Sequence, residues 1–169
     1  RTWNSTGRHR MVVLGIDPGT AITGYGIIEK NGNTLKLVDY GCIRTEPGVL
    51  LGKRLEKIHA GVRKLIRKHN PDFVAVEELF FSQNAKTAVA VGEARGVILL
   101  AASASGAETC EYTPLEVKMA IVGYGRAEKK QVQYMVAKLL NLADVPKPDD
   151  AADALAIAIC RANRSKIPE

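Results

Sequence analysis

MVVLGIDPG, residues 11–19, reads as a buried strand running straight into a turn. Val12, Val13, Leu14 and Ile16 are apolar and mostly β-branched, which suits a strand covered on both faces. Asp17 stands at the end of that run, before Pro18-Gly19, where its carboxylate can project from the carboxyl edge of a sheet. A second strand, TGYGIIEK (23–30), follows closely. Asn31-Gly32 is a hairpin signal, because Asn and Gly tolerate the positive φ of a tight turn. TLKLVDYGCIRT (34–45) alternates Leu35, Leu37 and Tyr40 inward as a third strand. Strands joined this tightly predict an antiparallel meander.

Working outward, Leu51, Leu55, Ile58, Val62, Leu65 and Ile66 recur at helical spacing between Leu50 and His69, and Asn70-Pro71 stops that helix. DFVAVEE (72–78) is a short, continuously apolar strand ending in acids. An Ala- and Gly-rich helix from Asn84 to roughly Ser105 ends at Gly106, and AETCEY (107–112) is a fifth strand. Thr113-Pro114 supplies an N-cap and a first-turn proline for the next helix. The Gly123-Tyr124-Gly125 break separates that helix from another near Ala127 to Leu142. After Pro146-Lys147-Pro148, Asp149 or Asp150 opens a last helix to about Ala162. The order predicts one α/β domain, a mixed five-stranded sheet with helices on both faces.

Residues 1–10, RTWNSTGRHR, carry Arg1, Arg8 and Arg10 and no acid, and precede Met11; they read as an unstructured leader or expression remnant. The single domain is then expected over residues 11–169. Setting those three arginines aside lowers the net charge from +6 to +3, with 21 basic residues against 18 acidic. That mild excess is compatible with nucleic acid, but local clusters must carry the argument. The longest apolar run, about Val97 to Ala104, is too short to span a bilayer. Cys42, Cys110 and Cys160 are odd in number and lack a CxxC pair, which fits a reducing cytoplasm and offers no zinc site or disulfide frame.

Four acids stand at element ends. Glu77 closes the fourth strand, and it lies beside Asp17 if the first and fourth strands are neighbours. Asp150 and Asp153, three apart at a helix start, share one helix face. Singly, they read as an Asp-Pro-Gly turn, a solvated strand end and a helix cap. Together they would repel one another unless a cation compensates. An all-oxygen donor set suits a hard ion such as Mg²⁺, with Mn²⁺ as a substitute. Two such ions about 4 Å apart activate water and stabilise the leaving oxygen in phosphodiester hydrolysis.

VVLGIDPGTAITGYGII (12–28), VAVEELFFSQN (74–84), VGEARGVI (91–98), TPLEVKMAIVGYGRAEKKQVQ (113–133) and DDAADALAIAI (149–159), in this order, resemble the RuvC family of Holliday-junction resolvases. The resemblance covers essentially all of Met11 to Ala162. It implies a ribonuclease-H-like fold, a homodimer, and paired, symmetric, Mg²⁺-dependent nicks in four-way DNA junctions during recombination and repair. It also implies that Asp17, Glu77, Asp150 and Asp153 are the catalytic, metal-holding acids. Its further partners would be a branch-migration motor and a junction-binding tetramer.

Lys118 and Lys129 flank the Gly123–Arg126 turn and could reach phosphates. Alone they are ordinary surface lysines; the resemblance places both at positions of catalysis or DNA contact. Phe80 matches the family's base-stacking position, and Phe81 beside it reads equally as a packing or a stacking residue. Lys53, Arg54, Lys57, Arg63, Lys64, Arg67 and Lys68 line one helix, and such a run is usually a solvated face. Gly92-x-x-x-Gly96 lies where the family's dimer contact is expected. Competing readings are a ribonuclease-H-like nuclease for other nucleic acids, an actin-like nucleotide-binding module, and a noncatalytic junction binder. Only one acid-and-glycine phosphate loop is present, which speaks against the actin-like reading.

Overall fold

The computed structural model describes residues 10–78 and 85–164. Among them the elements are β1 (Arg10–Asp17), β2 (Ile22–Asn31), β3 (Thr34–Arg44), α1 (Leu51–His69), β4 (Phe73–Glu77), α2 (Ala85–Ser103), β5 (Glu108–Tyr112), α3 (Pro114–Val122), α4 (Lys129–Leu139) and α5 (Asp149–Asn163). The sheet order is β3-β2-β1-β4-β5. β1, β2 and β3 form the expected antiparallel meander. β4 joins the free side of β1 in parallel, and β5 joins β4 in parallel. Parallel neighbours need crossover connections, which α1 and α2 supply.

Each face of the sheet has its own core. Ile58, Val62 and Ile66 of α1 and Ala94, Ile98, Ala101 and Ala102 of α2 pack against Val12, Leu14, Ile16, Ile27, Val74 and Val76. On the opposite face, Val13, Ile28, Phe73 and Ala75 meet α3, α4 and above all α5. From Ala151 to Ala162 every residue of α5 except Asp153 is buried, so this helix is central to the domain. The mixed sheet with helices on both faces is as expected.

Several boundaries differ from the sequence reading. Arg10, assigned above to the leader, begins β1: it pairs with Asn31 across the ladder, and its guanidinium meets Glu29 at 2.9 Å. α4 starts at Lys129 rather than near Ala127, because Glu128 caps it reciprocally with Gln131. It stops at Leu139, where the chain turns through Asn141 at φ 53. α1 ends as expected, on a left-handed Asn70 at φ 43.

Candidate active site

Pleat parity decides where the strand-end acids point. In β1, Val12, Leu14 and Ile16 face α1 and α2, while Val13 faces α5. Asp17 continues the α5-facing row. In β4, Val74 and Val76 face α1 and α2 while Phe73 and Ala75 face α5, and Glu77 continues that second row. Ile16 pairs with Val76 across the parallel ladder, so Asp17 and Glu77 end neighbouring strands on the same face.

The N-terminal turns of α5 meet them there because the sheet is hollowed by glycine. A Cβ on Gly15 would lie 2.1 Å from the Ala154 carbonyl oxygen, and one on Gly24 would lie 2.0 Å from that of Asp150. A Cβ on Gly26 would come within 2.6 Å of the Leu155 side chain. Gly15 pairs with Gly26 and Asp17 with Gly24, so these glycines form a trough across β1 and β2. Their signal was readable as glycine inside strand patterns, which marks close backbone approach.

The result is a desolvated nest of like charges. Burial, then the negative charge of Glu77, Asp153 and Asp150, pushes the Asp17 carboxyl up to about 8. Burial and then Asp153 push Glu77 up to about 6. Burial also raises Asp153, opposed by Lys129. The Lys129 ammonium is 2.7 Å from Asp153 Oδ2 and 3.9 Å from Asp149 Oδ2. The charges of Glu77, Asp150 and Asp153 thus all reach Asp17 at one sheet edge.

Lys118 and Lys129 are brought to that edge by two capped helices. Thr113 Oγ1 accepts from the Glu116 amide at 3.1 Å while Glu116 Oε2 accepts from the Thr113 amide at 2.8 Å, which fixes the start of α3. Gly123 closes α3 in the left-handed region at φ 75. A cleft of about 260 Å³ results, lined by Glu77, Pro114, Val117, Lys118, Lys129, Val132, Asp153 and Ala156. Phe80 lies outside the described residues.

The donor set fits a hard divalent cation. It contains only carboxylate oxygen, is half-buried, and in Asp17 and Glu77 resists ionisation until positive charge arrives. As the side chains stand, no three acid, histidine or cysteine groups among the described residues form a ready-made metal cage. Asp153 is paired instead with Lys129.

The loop leaving Asp17 is braced by residues the sequence reading did not single out. The fully buried Thr23 donates to Gly19 O at 2.7 Å. Thr45 donates its hydroxyl to Thr20 O at 2.5 Å and its amide to Ala21 O at 3.0 Å, and accepts from Arg54 Nε at 2.8 Å. Cys42 also borders the site: it pairs with Gly24, and burial and then Asp150 raise its thiol. No disulfide joins the three cysteines. No helix of the described residues is long and apolar enough to cross a membrane.

The chain resembles known proteins over nearly its whole length. A family model described as crossover junction endodeoxyribonuclease RuvC matches residues 13–161. The protein of that name from Desulforamulus reducens is 58% identical over 155 residues, spanning 92% of this chain and 95% of the relative. The one from Halothermothrix orenii is 56% identical over 157 residues, spanning 93% and 95%. The structure of T. thermophilus RuvC in complex with Holliday junction substrate superposes with a TM-score of 0.85 at 39% identity, covering 90% of this chain and 93% of that one. The yeast mitochondrial Holliday junction resolvase shares the fold, with a TM-score of 0.64 at 15% identity and coverage of 88% and 77%.

Proposed function

Because this chain belongs to the RuvC family of crossover junction endodeoxyribonucleases, we propose that it resolves four-way DNA junctions through the acids gathered against the start of α5. The chain is an endonuclease with the ribonuclease-H-like fold of that family. One observation carries the site assignment. Asp17 and Glu77 end adjacent parallel strands on the face that meets α5, where the charges of Asp150 and Asp153 reach Asp17.

The family implies a divalent metal, and Mg²⁺ is the ion we assign, two per site, with Mn²⁺ able to replace it. Asp17, Glu77, Asp150 and Asp153 would hold it. When bound, the ions supply the Lewis acidity that a phosphodiester and an attacking water require. The protein's own groups do the rest. Lys129 offsets carboxylate charge at Asp153 and, with Lys118 across the cleft, reaches phosphate oxygens whose charge grows in the transition state. Phe80, three residues beyond Glu77, stacks on a base near the branch point. Hydrolysis leaves 5′-phosphate and 3′-hydroxyl ends.

Symmetric nicks call for two sites, and α2 supports a homodimer. Val89, Glu93, Gly96 and Leu100 form one exposed row along it, with Val89 60% and Leu100 62% exposed. A Cβ on Gly96 would meet open space, so a second backbone can approach closely there. The assigned setting is the cytoplasm, with a branch-migration motor and a junction-binding tetramer delivering substrate.

The deciding experiment places Asp17→Asn and wild type on a synthetic four-way junction with Mg²⁺. Paired nicking by wild type and its loss in the variant are expected. Cleavage by the variant at the wild-type rate would overturn the site assignment, and wild type inert on junctions would overturn the function.

A further inference from the structure

α1 carries a charge arrangement that its own stability disfavours. Lys53, Lys57, Arg63, Lys64, Arg67 and Lys68 are all exposed, and Glu56 is the helix's one acid. Lys53 and Lys57, Arg63 and Arg67, and Lys64 and Lys68 are like-charged neighbours four residues apart. Each such pair costs about 0.2–0.5 kcal/mol in a helix. The first turn holds Lys53 and Arg54 and no acid, opposite to what the helix dipole favours, and only Arg67, Lys68 and His69 in the last turn sit where it favours cations.

Internal partners relieve little of this. Lys53 meets Glu56 at 2.8 Å and Lys68 meets Asp39 at 3.2 Å. Lys57, Arg63, Lys64 and Arg67 make no ion pair among the described residues. A solvated amphipathic helix would interleave acids on its outer face; this one repels itself along about 21 Å from Lys53 to Arg67, at about 1.5 Å per residue.

Its position connects this stripe to the acids. Arg54 of α1 bonds Thr45, and Thr45 bonds Thr20 in the loop leaving Asp17. The stripe therefore starts at the catalytic edge and runs away from it. α1 packs on the α2 side of the sheet, while Lys118 and Lys129 sit on the α5 side. Cationic groups thus flank the acid edge from both faces. The partner that matches a linear, unpaired cationic stripe is a linear polyanion, and duplex DNA carries one charge per about 1.7 Å.

We infer that the exposed face of α1 is a second DNA-binding surface, which tracks the phosphate backbone of a duplex arm as it leaves the cleavage site. It rests on the junction-cutting reading and adds a contact surface outside the acid cleft. Lys57 and Lys64 are its central phosphate contacts.

The test compares two variants of equal net charge, K57Q/K64Q on α1 and K36Q/K138Q at exposed positions on β3 and α4. Binding to a fluorescent four-way junction in excess EDTA is measured from low to moderate salt. The slope of log K against log salt should fall by about 1.8 in the α1 variant, near 0.9 per phosphate contact, and stay near wild type in the other. Equal slopes in the two variants, with wild type still nicking junctions in Mg²⁺, overturn the α1 surface alone. Wild type that neither binds nor nicks junctions overturns both readings. Melting temperatures check folding; if the double variant melts early, K57Q and K64Q are measured singly, each expected to lose about 0.9 of slope.

Discussion

Gly15 of β1 lies so close to Ala154 of α5 that no side chain fits between them: a Cβ there would sit 2.1 Å from the Ala154 carbonyl oxygen and 2.6 Å from the Ala158 amide nitrogen. This contact sets how deeply α5 sinks onto the sheet, and so how near Asp150 and Asp153 come to Asp17. Gly15→Ala must push the helix out against backbone rather than a yielding side chain. A destabilisation at or above the usual overpacking cost of about 1–3 kcal/mol is expected in urea titration.

Gly24 makes the same contact at the site itself, where a Cβ would sit 2.0 Å from the Asp150 carbonyl oxygen. Gly24→Ala should therefore cost more activity than folding. Junction cleavage at a temperature where the variant is fully folded should fall at least tenfold. A variant that melts early yet cleaves normally when folded would show that α5 can shift without harm to the site.

The raised Asp17 pKa has a definite sign in stability. The native carboxyl holds its proton up to about 8, whereas the unfolded one releases it near 3.8. Between those values the native chain binds more protons, so stability is greatest at the acid end and is lost as pH rises toward 8. Asp17→Asn removes this penalty and should stabilise the metal-free protein at pH 7.5 by a few kcal/mol, at about 1.36 kcal/mol per pKa unit. Thermal melts in EDTA from pH 5 to 8.5 should show wild type declining and the variant nearly flat in comparison.

Divalent ions should reverse that penalty. Mg²⁺ at about 100 times its dissociation constant stabilises the native chain by about 2.7 kcal/mol. Binding needs ionised carboxylates, so the melting shift should grow from pH 6 to 8, and it should be absent in Asp17→Asn with Glu77→Gln. A shift unchanged in that double variant would place the ion elsewhere.

Lys129 meets Asp153 at 2.7 Å, and both line the cleft. Lys129→Gln should lower the single-turnover cleavage rate by about 10²–10³, the usual cost of losing one transition-state donor. Lys129→Arg, which keeps the charge, should recover part of it. Junction affinity in EDTA should change far less than the rate.

Much of this protein was legible in its sequence, because short-range physics wrote it there. Alternation in residues 11–45 and the Asn31-Gly32 turn specify a meander, since strand pairing across a tight hairpin is local. The Asn70 stop and the Thr113 cap bound helices through hydrogen bonds within a turn. Asp17, Glu77, Asp150 and Asp153 stood out as acids at the ends of such elements, and their motifs carried the family. Tertiary structure alone decided that β4 pairs with β1, because only that parallel ladder sets Asp17 beside Glu77. Gly15, Gly24 and Gly26 announce a close backbone approach from inside their strands, but only packing shows that α5 fills the space they leave. And only burial made the Asp17 carboxyl answer to Glu77, Asp150 and Asp153: desolvation and repulsion act through space, between residues separated by up to 136 positions in the chain.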